Sequence, residues 1–112
     1  MSNKEILIDL EEVKKKFNSN INEGISDAVS WWTSTVLKAT YGSQGIELPF
    51  RLAGSRDELA ALIQAMGLER RYMADATRYG LDNPVTYRTK SVLRAAIDNF
   101  ERRTGIPWPF KD

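Results

Sequence analysis

Neither cysteine nor histidine occurs anywhere in this chain. Without cysteine there is no disulfide framework, thiol nucleophile or thiolate metal site. Without histidine the commonest general base and the imidazole metal ligands are missing too. No apolar run approaches the roughly 18 residues needed to span a bilayer. The opening Met-Ser-Asn-Lys-Glu lacks the basic start, apolar stretch and small-residue cleavage site of a signal peptide. A cytoplasmic protein with no membrane contact is the expectation. Charge of one sign is also lacking: 16 basic residues face 15 acidic ones, a formal net of +1. Such balance supplies no general attraction to nucleic acid or to an anionic surface.

What is present suits one small globular domain. The chain has 112 residues, 42% hydrophobic and 28% charged, enough for a single core and too few for a second domain. Its charges are unevenly distributed. Residues 1–50 hold five Lys against seven acids, and residues 51–112 hold eleven basic residues, mostly Arg, against eight acids.

Apolar spacing and punctuation divide the chain into helices. Glu5 to Leu10 is readable as a short strand or as the run-in to a helix, because short apolar runs do not distinguish the two. Leu10, Val13 and Phe17 set a first helix from about Asp9 to Asn18. Ile21, Ile25, Val29, Trp32 and Val36 then recur at spacings of three or four, predicting an amphipathic helix from about Asn20 to Tyr41, ended by Gly42. Residues 42–54 form an irregular loop rich in glycine, with an extended stretch around Ile46–Leu52 packing on the core. Ser55 and Glu58 make a capping box. It opens a helix with Leu59, Leu62, Ile63 and Met66 on one face, stopped at Gly67. Leu68, Tyr72, Ala76 and Tyr79 continue to Gly80. A turn, Leu81 to Pro84, precedes the last helix, whose face is Val92, Leu93, Ala96, Ile97 and Phe100 and whose stop is Gly105. Pro107 and Pro109 flank Trp108 and forbid helix in the tail.

The expected fold is therefore mainly α, a single compact domain of four to five helices with an irregular loop at 42–54 and a Pro/Trp-rich C-terminal tail. Asn20–Tyr41 and Thr86–Thr104 should form its spine, with the short helices of 55–80 packed across them.

Catalysis finds no constellation. Adjacent Glu11 and Glu12, or Asp57 and Glu58, point apart on a helix. Asp98 and Glu101 converge, but Arg94, Arg102 and Arg103 surround them, which reads as ion pairing. Gly-Ser-Gln-Gly at 42–45 lacks the Gly-Lys-Ser/Thr of a phosphate-binding loop. No cofactor, metal or small-molecule substrate is expected, and no enzyme activity. The favoured function is binding to another protein or to further copies of this chain, as an adaptor, assembly factor, inhibitor or structural subunit. Its candidate residues are Trp31 at the stripe edge, Leu37 off the stripe, and Trp108 and Phe110 in the proline-bounded tail, since aromatic residues dominate interface energetics. Trp108 has a competing reading as a plug for its own bundle. The alternative function is a DNA-binding helix-turn-helix over 55–80, with Arg70, Arg71 and Arg78 on its second helix contacting phosphates or base edges.

Overall fold

A computed structural model describes residues 6–19, 25–42 and 50–110. Its elements run β1 (Ile6–Asp9), α1 (Leu10–Ser19), α2 (Ile25–Tyr41), β2 (Phe50–Ala53), α3 (Arg56–Tyr79) and α4 (Pro84–Thr104). The chain is mainly helical, with four helices and one two-stranded sheet among the described residues.

The start is a strand. Ile6, Leu7 and Ile8 suit a pleated surface, and Ile8 turns into the core while Leu7 faces out. Asp9 then closes the strand and starts α1, its Oδ1 accepting the Glu11 N–H at 3.0 Å. β2 lies parallel to β1, with Ile8 opposite Leu52 and Asp9 opposite Ala53. A parallel pair needs a long crossover, which the chain between the strands, carrying α1 and α2, provides. This non-local pairing settles the ambiguous segment at the N-terminus and the extended part of the 42–54 loop. Ile21, Ile46 and Leu48, and the side chains of Ile25 and Phe50, lie outside the description.

α3 begins as expected. Ser55 Oγ accepts the Glu58 N–H at 3.3 Å and donates to the Glu58 carboxylate at 3.0 Å. The same carboxylate takes Lys14 Nζ at 2.6 Å, tying α1 to α3, and that hydrogen bond holds it below the usual carboxylate range.

The helix does not stop at Gly67. It runs unbroken for 24 residues to Tyr79, so 55–80 is one helix and the helix-turn-helix reading is corrected. A glycine ends a helix where the next contacts favour a left-handed residue. Here Leu62, Ala65, Met66 and Glu69 are buried on one face across the glycine, and that packing outweighs the roughly 1 kcal/mol that mid-helix glycine costs.

The spine is also different from the expected one. α3 and α4 form an antiparallel hairpin, because Gly80–Asn83 leaves no chain length to separate them. Asp57 meets Arg103 near one end at 3.9 Å, and Asp75 meets Thr89 near the other at 2.5 Å. Asn83 caps α4 by accepting the Val85 N–H at 2.9 Å, with Pro84 as the first helical residue. α1, α2 and the sheet pack against one part of this hairpin.

The core joins Ile8, Leu10, Val13, Trp32, Val36, Leu62, Met66, Leu93, Ile97, Phe100, Ile106 and Trp108. Val29, Ile63 and Val92, expected inside, are exposed. Each sits one residue, about 100°, from the true stripe, which alanines define: Ala28 and Ala39 on α2, Ala61 and Ala65 on α3, Ala96 on α4. Phe17, Leu59 and Tyr72 pack at its edge, and Ala76 is half-buried as well.

A Cβ at Gly67 meets nothing within 4 Å and the backbone there is helical. Gly67→Ala should therefore stabilise the protein by about 0.5–1 kcal/mol in urea denaturation. A loss of stability would mean that the helix breaks there.

Candidate functional site

The C-terminal tail is built into the core. Gly105 takes the left-handed conformation (φ 74°) that ends α4, its N–H bonding the Glu101 carbonyl at 2.9 Å. Thr104 Oγ1 donates to the Phe100 carbonyl at 2.7 Å and accepts the Ile106 N–H at 3.0 Å. The Pro107 carbonyl accepts the Trp32 indole N–H at 2.9 Å. Trp108 then enters edge-on to Phe100, with ring centroids 5.3 Å apart and planes at 75°. Two carboxylates hold it: Glu101 accepts its backbone N–H at 2.8 Å and Glu69 its indole N–H at 3.0 Å.

Glu69 is the residue that sequence reasoning missed. It is buried, and the available signal was its spacing of three, four and seven residues after Met66, Ala65 and Leu62. Nearby, the Tyr41 hydroxyl reaches the Glu69 carbonyl at 3.4 Å. Burial pushes the pKa of the Tyr41 hydroxyl above the usual phenol value, the Glu69 charge adds to this, and Arg70 partly offsets it.

The four candidate interface residues do not share one surface. Trp108 is 3% exposed, so its interface reading is corrected: the space between α3 and α4 needs an aromatic plug, and Trp108 supplies it. Phe110 is half-buried, edge-on to Trp108 at 6.3 Å. Trp31 is half-buried at the edge of α2, its ring under Lys16 Nζ at 4.9 Å. Leu37 is exposed on the outer face of α2, with Val29, Ser30, Thr33 and Ser34 on the same side. Arg70, Arg71 and Arg78 are exposed on α3. Arg71 lies 3.9 Å from Asp75, and the Arg78 guanidinium lies 5.5 Å from the Tyr79 ring.

An open trough runs along the α3–α4 hairpin. A cavity of about 260 Å³ has Tyr72, Leu93, Ile97 and Phe110 as its apolar walls and Lys90, Arg94, Asp98 and Glu101 around it. A second hollow, about 140 Å³, adjoins it through Tyr72 and Lys90 and extends to Leu81, Asp82, Thr86 and Tyr87 at the hairpin tip.

The tip has an unusual interior. Between Met66 and Leu93 no hydrophobic side chain is fully buried; the buried residues are Glu69, Thr86 and Thr89. Thr86 Oγ1 donates to the Gly80 carbonyl at 2.7 Å, and Thr89 Oγ1 donates to Asp75. Meanwhile Met73, Tyr79, Leu81 and Tyr87 are 52, 44, 63 and 56% exposed. Hydroxyl contacts join the two helices there beside the half-buried Tyr72, Ala76 and Val85, and those four apolar side chains are exposed.

Among the described residues no group of three acids could hold a metal ion, and no helix is long and apolar enough to cross a membrane. No family model, curated protein or solved structure matches this chain.

Trp108→Ala should lower stability by about 3–5 kcal/mol in urea denaturation, the cost of removing a buried aromatic ring. A loss below about 1 kcal/mol would show that the tail is detached in solution.

Proposed function

We propose that the protein is non-catalytic and works by binding another polypeptide along the trough of its α3–α4 hairpin. The observation that carries this reading is the tip's inverted polarity: Thr86 and Thr89 inside, Met73, Tyr79, Leu81 and Tyr87 outside. Aromatic and methionine side chains at an interface centre contribute most of the binding energy, with charged groups at the rim fixing orientation. Here Lys90, Arg94, Asp98 and Glu101 provide such a rim.

The carboxylates support the non-catalytic part of the proposal. Glu58 bonds Lys14, Asp98 bonds Arg102, Asp75 takes Thr89, and Glu69 and Glu101 hold the tail. Each has a structural partner, and the two hydroxyls bonded to them, Ser55 on Glu58 and Thr89 on Asp75, cap a helix and join two helices. Of the residues marked out by sequence, Phe110 belongs to this trough and Leu37 to a separate face of α2. A cytoplasmic setting is part of the same proposal.

A photo-cross-linking side chain placed at Leu81 or Tyr87 should join the protein to a second polypeptide, and one at Ala74 should not. Ala74 is exposed at a similar height on the far side of α3, since two residues turn the helix by about 200°. Equal adducts at all three positions, or none, would overturn the reading. Substitutions at such exposed sites should change stability by no more than about 0.5 kcal/mol.

A further inference from the structure

We infer that the occupant of this surface is a second copy of the chain, the two α4 helices pairing antiparallel about a twofold axis. The inference rests on the hairpin being the binding surface and names what binds there.

Positions 87, 91, 94, 98, 101 and 105 alternate in spacing between four and three, so they form one stripe down α4 and onto its cap. They are Tyr87, Ser91, Arg94, Asp98, Glu101 and Gly105. Along this stripe the charge is ordered, with Arg94 in the N-terminal half beside Lys90, and Asp98 and Glu101 in the C-terminal half. Such an order is complementary to itself when reversed. Placing Arg94 opposite the second copy's Asp98 places Asp98 opposite its Arg94 by the same symmetry. That register sets Ser91 against Glu101 and Tyr87 against Gly105. Lys90 and Glu101 lie on the same edge of the stripe, and same edges meet in an antiparallel pair. The exposed ring of Tyr87 then falls where the second copy has no side chain, at the Phe110 end of its trough. A parallel pairing would instead set Arg94 on Arg94 and Asp98 on Asp98.

Within one chain Arg94 and Asp98 do not pair with each other. Basic-before-acidic is the poorer orientation at a spacing of four. Asp98 instead bonds Arg102 at 3.1 Å, and Arg94 makes no ion pair among the described residues. Closed twofold pairing through one self-complementary patch is the commonest way a small protein associates.

Sedimentation equilibrium of the full chain, over a wide dilution series, tests the pairing. Wild type should dimerise, and less so as salt is raised. Arg94→Glu and Asp98→Arg should each weaken dimerisation by about tenfold or more, because symmetry creates two like-charge contacts. An equimolar mixture of the two variants should recover a heterodimer, since the reversed charges then face each other and the native ones do too. Both positions are exposed, and circular dichroism melts should show both variants folded. A monomeric wild type, an assembly larger than two, single variants that dimerise normally, or folded variants that do not recover on mixing would each overturn the pairing. If wild type is monomeric while cross-links at Leu81 and Tyr87 still reach another polypeptide, the pairing fails and the hairpin surface stands. If no cross-link forms, both fail.

Discussion

The docking of Trp108 between the two long helices is the contact on which the rest of the structure depends. A proline on each side of it rules out helix, so the tail must turn back from Gly105. Once turned, its polar groups find partners in sequence: Ile106 on Thr104, Pro107 on Trp32, Trp108 on Glu101 and Glu69. An indole N–H buried without an acceptor is costly, and this need explains why a carboxylate sits among apolar residues at position 69. Trp32, Phe100 and Trp108 form one aromatic series, with Trp32 and Phe100 stacked at 6.4 Å and Trp108 edge-on to Phe100. Around it gather α1, α2 and the small sheet.

A core built at one end leaves the other end uncovered. α3 is 24 residues long, about 36 Å, and its buried apolar residues end at Met66. The rest of the hairpin extends beyond the core, held by the Thr86 and Thr89 hydroxyls and by the short turn. Elements with few buried apolar contacts open most readily, and binding surfaces are drawn from them. The structure thus divides its stability: tightly packed aromatic rings at the base, and polar contacts with exposed apolar groups toward the tip. That division, more than any single residue, is the basis for proposing that the hairpin binds a partner.

Much of this was legible in the residues, and the exceptions have physical causes. Ser55 with Glu58 and Gly105 mark helix ends through local hydrogen bonds and fixed dihedrals, and these signals survive folding; the start of α4 at Pro84, capped by Asn83, lay inside the segment read as a turn. Gly67 has the same local appearance as a stop but lies within a continuous packed face. Val29, Ile63 and Val92 misled because large aliphatics carry more weight in a pattern than alanine, and alanines hold much of the buried face. The pairing of Ile6–Asp9 with Phe50–Ala53 joins segments more than forty residues apart, which no local period encodes. For the site, the aromatic tail was visible, but its inward direction depends on Glu69, whose partner is 39 residues away. The trough could not be seen, since it exists only once α3 and α4 lie side by side.

Amide hydrogen exchange resolved along α3 and α4 tests the central division most directly. The account predicts slow exchange, near the global unfolding limit, for amides at residues 61–69 and 93–104. It predicts protection lower by at least about tenfold, roughly 1.4 kcal/mol, for residues 73–79 and 86–90, measured where the chain is monomeric. Uniform protection along the whole hairpin would contradict it, by showing that the tip is as firmly packed as the base.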